Sequence, residues 1–222
     1  MLCVMPGAAD SHVALDRLTR LAARLLEVPV SLVTIIDDRR QQLAGMTGVE
    51  EPWASARETP LSYSFCKYLV SSGEPLRIDD ARTHPLVRDS PAILDFGVVA
   101  YLGVPLESPD GHVLGGVCAI DHKPRAWSDA DLEALTDLCA AAATEVHLRE
   151  LLDRERQWAL ELNDDVVQHL AAAKLRLQLA GADREAVDEL AIGLEIAQAT
   201  AAAMLERAGG VRPGGVRRGT RE

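Results

Sequence analysis

The stretch Glu155 to Leu179, ERQWALELNDDVVQHLAAAKLRLQL, limits the fold more than any other part of the chain. In and beside it Leu152, Ala159, Leu162, Val166, Ala173, Leu177 and Ala180 recur at steps of three, four or seven, the mark of one apolar helix stripe. Charged and amide side chains fill the other face, and no Gly or Pro interrupts it, so the stretch predicts one long helix. Gly181 and Asp183 then mark a tight helix–helix turn, with Asp183 capping the next helix. Val187, Leu190, Leu194, Ala197, Ala201 and Leu205 form the stripe of that second helix. Two antiparallel helices cannot bury two full stripes between themselves. Pairing with a second copy into a four-helix bundle, and hence a homodimer, is expected.

The preceding chain is patterned for a sheet. Val13 to Leu26 is an amphipathic helix ended by Pro29. Val30–Ile36 reads as a β-branched strand, Asp37–Arg40 as a turn and Gln41–Met46 as the returning strand. Gly45 to Pro60 is loop with room for one short helical turn, and Pro60–Val70 is a short helix with Ser62 as N-cap and Gly73 as terminator. Leu76–Asp79 and Val99–Leu106 read as strands, the second carrying Gly103 and Pro105 as signs of an edge or a bulge. Pro109-Asp-Gly111 is a hairpin turn leading to the strand Val113–Asp121. Ser128 and Asp131 cap a helix from Asp129 that turns Leu132, Leu135 and Leu138 inward and runs into the long helix. This order gives an α+β fold: one antiparallel sheet with helices against one face, followed by a long-helix hairpin.

At 222 residues the chain accommodates one sizeable domain and a smaller element. Its net charge of −11 argues against nucleic-acid binding, despite Arg212, Arg217, Arg218 and Arg221 near the end. No apolar run approaches the roughly 20 residues of a membrane helix, and the first ten residues lack the basic flank and apolar core of a secretion signal. Cys3, Cys66, Cys118 and Cys139 form no CxxC pair, which argues against a zinc knuckle. The expectation is a cytoplasmic protein with reduced thiols. The acidic pairs Asp37-Asp38 and Asp79-Asp80 read as solvated strand ends rather than metal ligands.

Two resemblances add to this reading. Glu161-Leu-Asn-Asp-Asp-Val-Val-Gln-His-Leu170 resembles the dimerisation helix of sensor histidine kinases that pair with LuxR-type response regulators, in which a His accepts the phosphoryl group. Asn163 stands at the His position, while Asp164 and Gln168 match the acidic and amide residues of that motif. An amide nitrogen has a delocalised lone pair and cannot attack phosphorus, so the resemblance implies an acceptor frame without its nucleophile. His169 lies six residues from Asn163 and points roughly 120° away, so it is not read as a substitute. The 222 residues also leave no space after the hairpin for a kinase nucleotide-binding domain, and a non-catalytic protein is expected.

The second resemblance rests on Ser64-Phe-Cys-Lys-Tyr68, Asp79-Asp-Ala-Arg-Thr-His-Pro85, Tyr101-Leu-Gly-Val-Pro-Leu106, Gly111-His-Val-Leu-Gly115, Cys118-Ala-Ile-Asp121 and Arg125-Ala-Trp-Ser128. These resemble a GAF domain, a small-molecule sensor module related in shape to the PAS fold. The implied organisation is a leader over 1–12, a GAF sensor over 13–150, a kinase-like helical hairpin over 151–208 and a disordered Gly/Arg tail over 209–222.

The resemblance implies a ligand between the sheet and the short middle helices, with Phe65, Cys66, Tyr68, His84, Phe96, Tyr101 and Cys118 as candidate lining. The cofactor or ligand is left unknown. Cys66 is either a reactive thiol or a small core residue. His84 is either a haem ligand or a loop His bonding its own backbone. Lys123, Trp127 and Asp131 echo a cyclic-nucleotide signature, but Leu132 stands where its Glu would be. The implied protein is a signalling regulator whose partners are a histidine kinase or a response regulator. The alternative is an enzyme: a kinase fragment, or a thiol redox enzyme using Cys66.

Overall fold

The structure, a computed structural model, describes residues 8–161, 168–179 and 184–207. Its strands are β1 (Val30–Ile36), β2 (Arg40–Thr47), β3 (Glu58–Pro60), β4 (Leu76–Ile78), β5 (Ala100–Glu107) and β6 (Val113–Asp121). They form one sheet in the order β3-β2-β1-β6-β5-β4, every neighbour antiparallel. Its helices are α1 (Ala8–Leu25), α2 (Trp53–Ala56), α3 (Cys66–Ser72), α4 (Pro91–Asp95), α5 (Asp129–Glu161), α6 (Gln168–Leu179) and α7 (Arg184–Arg207).

β1, β5 and β6 are apolar nearly throughout because both of their faces are covered. On one face Leu15, Ala22 and Leu26 of the first helical segment meet Val33, Leu102, Val104 and Val117, and Leu135, Cys139 and Ala142 of α5 complete that core. On the other face α3 and the short segments around it cover Leu32, Leu43, Tyr101, Cys118 and Ile120. Each fully buried Leu contributes roughly 1.5–3 kcal/mol. The sheet is therefore the middle of three layers, and the expectation of helices against one face is corrected. Long helices cover one side and short ones the other.

Polar anchors set the position of α1. Asp16 accepts from the Arg57 guanidinium (2.8 Å) and from the Met46 backbone N–H (2.9 Å), and the Thr19 and Thr47 hydroxyls meet at 2.8 Å. Because α1 begins at Ala8, its first turn lies inside the stretch read as leader. Asp37 closes the β1–β2 turn, accepting from the N–H groups of Arg39 and Arg40 at 2.9 Å each. Pro105 sits in an interior strand but beyond the three-residue reach of β4, so its missing N–H breaks no ladder there. Ser128 and Asp131 form the expected reciprocal cap at the start of α5.

The segment read as one helix over 60–70 is two. A 3₁₀ turn over Leu61–Tyr63 is followed by extended Ser64, and α3 starts only at Cys66. Phe65, not Ser62, precedes that helix, and Gly73 ends it with φ +71°.

The chain divides into two compact units, Met1–His147 and Leu148–Glu222. In the second, α6 packs on α7. Ala159 and Ala201 are fully buried, and Val187, Leu190, Leu194 and Ala197 are half-buried along the expected stripe. Leu175, Ile192 and Ile196 are exposed. Gln168 opens α6 with its side chain exposed. Asn163, Asp164, the Gly181–Asp183 turn and the 209–222 tail lie outside the described residues.

Among the described residues no helix is long and apolar enough to cross a membrane.

Candidate functional site

The sheet face under the short helices carries a cavity of about 390 Å³, within the size range of small-molecule sites. Strand alternation supplies its floor. Leu32, Leu43, Tyr101, Cys118 and Ile120 project to this side, while Val33, Leu102 and Val117 project to the other. Phe65 and Cys66 enter from the start of α3. Residues 48–53 roof one side, and Ala92, Asp95 and Phe96 of the α4 segment roof the other. Gly48, at φ +77° after β2, turns the chain over the cavity where a side chain would collide with the Pro29 carbonyl.

Three aromatic rings stand together in the roof. Trp53 meets Tyr63 at 5.7 Å and Phe96 edge-on at 5.4 Å, and Tyr63 meets Phe96 at 5.1 Å between centroids. Such contacts add about 0.5–1.5 kcal/mol per pair beyond simple burial. The Tyr63 hydroxyl donates to Asp95 at 2.7 Å, and that bond to a carboxylate raises the Tyr63 pKa. Deeper in, the Gln41 amide donates to the Thr59 hydroxyl at 3.4 Å, and the Ser64 hydroxyl donates to the Gln41 carbonyl.

Two thiols share the floor. Cys66 Sγ lies 3.2 Å from the Tyr101 hydroxyl, while the Thr34 hydroxyl close by donates to the Gly116 carbonyl at 3.1 Å. The Cys118 thiol is the largest of the influences holding Cys66 below the usual thiol range, although Cys66 does open α3 as its position in the sequence suggested. The neighbouring Cys66 thiol, with burial, pushes Cys118 well up. Burial, then the nearby thiols, pushes Tyr101 up as well. This arrangement holds the Cys66–Cys118 pair with one low and one high proton affinity.

Of the seven candidate lining residues, Phe65, Cys66, Phe96, Tyr101 and Cys118 line the cavity. Tyr68 and His84 do not, and their assignment to it is corrected. Two residues on from Cys66, Tyr68 is turned about 200° round α3. Its hydroxyl donates to the Leu86 carbonyl instead. His84 stands by a second, open cavity with Arg77, Asp79, Asp80, Thr83, Pro85 and Trp127, where its Nδ1 accepts from the Leu86 N–H at 3.4 Å. Trp53, Tyr63, Gln41, Thr59, Asp95 and His122 are lining residues that sequence reasoning missed. The residues that echoed a cyclic-nucleotide signature have structural tasks. Trp127 is buried and donates to the Ile78 carbonyl at 3.2 Å, and Asp131 caps α5 and pairs with Arg125. Among the described residues no group of three or more His, Cys, Asp or Glu could hold a metal ion.

The profile of the GAF domain matches residues 10–146, well over half of the chain. The chain belongs to the GAF domain family. A cyclic di-GMP phosphodiesterase of Pseudomonas aeruginosa is 27% identical over 134 residues, covering 60% of this chain and 22% of that protein. The chain thus spans about a fifth of the length of that relative. Among solved structures, the GAF domain of an Acinetobacter phosphoenolpyruvate-protein phosphotransferase superposes with TM-score 0.54 at 20% identity, covering 65% of this chain and 89% of that one. A GAF domain/HD domain protein from Geobacter sulfurreducens superposes with TM-score 0.53 at 24% identity, covering 65% and 97%. These likenesses establish the GAF fold, a sensor fold, and the cavity lies inside the matched region.

Proposed function

We propose that this protein is a non-catalytic signalling regulator in which the GAF cavity binds a small molecule and a C-terminal hairpin passes the signal to a two-component partner. The observation that carries the reading is the cavity, with its apolar walls, convergent polar groups and perturbed thiols. A change of population at the sheet face reaches Leu148–Glu222 along α5, whose residues Leu135, Cys139 and Ala142 pack on the sheet. The hairpin forms a homodimer, for which Leu175, Ile192 and Ile196 offer an uncovered apolar face. Its partner is a histidine kinase or a response regulator. Asn163 supplies no nucleophile, so the hairpin acts by docking rather than by phosphoryl transfer.

The test of the two-component reading is the substitution Asn163→His, offered to an active kinase of the resembling family with γ-labelled ATP. Label on the variant and none on the native chain supports a degenerate acceptor. Label on the native chain, or none on either, contradicts it.

A second reading, a thiol redox enzyme, is favoured by one observation: Cys66 and Cys118 are free thiols that line the same cavity. Two thiols and one peroxide would give a disulfide and two waters. Thiol titration before and after peroxide tests it, and no loss of titratable thiol removes it.

A further inference from the structure

The charge of the cavity lining narrows what enters it. Glu50, Glu51 and Asp95 line the roof, His122 stands beside them with its Nδ1 2.9 Å from the Gly97 carbonyl oxygen, and among the described lining residues there is no Lys or Arg. Asp95 accepts from the Tyr63 hydroxyl, and Glu51 accepts from Ser55, so these carboxylates are held in place while each keeps further acceptor sites. They flank the joined rings of Trp53, Tyr63 and Phe96, whose electron-rich faces attract cations. A ligand bearing phosphate or carboxylate would need guanidinium or ammonium partners, and would instead meet three carboxylates. Below the roof, Leu32, Leu43, Phe65 and Ile120 provide space for an apolar body.

We infer that the ligand of this cavity is a small organic cation, an amine or quaternary ammonium on an apolar or aromatic body. Its charged end lies at the Trp53–Tyr63–Phe96 surface beside Asp95. The inference rests on the reading of the cavity as a ligand site, and it gives that site its chemical class. It also separates this GAF domain from any that takes a nucleotide.

The test is isothermal titration of the full chain with three probes of similar body: benzyltrimethylammonium, benzyl alcohol and benzoate. The expected result is that benzyltrimethylammonium binds at least about tenfold more tightly than benzyl alcohol, that benzoate does not bind, and that added salt weakens the cation. Asp95→Asn, at an exposed position, lowers affinity for the cation about tenfold, and Trp53→Leu lowers it further. If Trp53→Leu does not fold, Asp95→Asn alone decides. Benzoate or benzyl alcohol binding as tightly as the cation overturns the charge assignment and leaves the ligand-site reading standing. If none of the three binds while protein from its own host retains a small molecule, the charge assignment again fails alone. If none binds and none is retained, both readings fail.

Discussion

The Cys66 Sγ and the Tyr101 hydroxyl stand 3.2 Å apart on the floor of the GAF cavity, one contributed by α3 and the other by β5. The contact exists because Gly103, two residues along the same strand face, leaves the space in which the Tyr101 ring lies. A Cβ at Gly103 would come within 2.7 Å of the ring's Cε1. Gly103→Ala is therefore expected to lift Tyr101 off the floor and cost about 1–3 kcal/mol. Denaturant unfolding measures the cost. A variant as stable as the native chain would show that the ring is not so tightly seated.

Burial, the largest influence, pushes Cys139 up to about 12, and its thiol donates to the Pro105 carbonyl at 3.3 Å. The folded chain thus holds this proton more tightly than the unfolded chain, whose thiol titrates near 9.0. The associated stability is complete below that value and is lost as pH rises toward the folded pKa. From about pH 9 to about pH 10.5 the native chain should lose ~2 kcal/mol from this group. Cys139→Ala should lose less over the same interval. Equal slopes for the two proteins would contradict the assignment.

Arg57 ties α1 to the sheet. Its guanidinium donates to Asp16 at 2.8 Å and to the carbonyls of Leu43 and Ala44 at 3.1 and 3.3 Å. A lysine ammonium cannot reproduce that fork. Arg57→Lys should cost about 1–2 kcal/mol. Arg88→Lys, whose contact with Asp89 is exposed and 3.7 Å long, should cost less than about 0.5 kcal/mol. Thermal melts of both variants make the comparison.

Ile192 and Ile196 are 58% and 62% exposed, one turn apart on α7, which is unusual for isoleucine in an isolated chain. The double substitution Ile192→Glu, Ile196→Glu should convert a dimer to a monomer in light scattering while the GAF unit keeps its melting temperature. An unchanged mass would show that this face is not the dimer contact.

The strongest local signals carried the fold. Val30–Ile36 and Val113–Asp121 are strands at the bounds their sequence implied, the Asp110-Gly111 turn joins β5 to β6, and Ser128 with Asp131 caps α5. The errors fall where structure depends on distant pairing. β3 has three residues and exists because Gln41 pairs with Thr59 across from it, which no local pattern announces. α4 is the exception, a helix signalled locally by Ser90-Pro91, where the Ser90 hydroxyl caps it by accepting from the Ala92 N–H. Trp53 opens the four-residue α2 and Tyr63 ends a single 3₁₀ turn, elements too short to show a period, so their meeting with Phe96 emerges only in three dimensions. Tyr68 shares α3 with Cys66 but faces away from the cavity, because two residues turn a helix by about 200°.

Native mass spectrometry of the full chain purified from its own host tests the central claim, that the cavity beside Cys66 and Tyr101 is a ligand site. The account predicts a dimer carrying extra mass, released on denaturation and lost from a variant such as Gly103→Ala that disturbs the floor. A dimer of bare chains, with no small molecule retained by the native protein and none rebound from host extract, would contradict it.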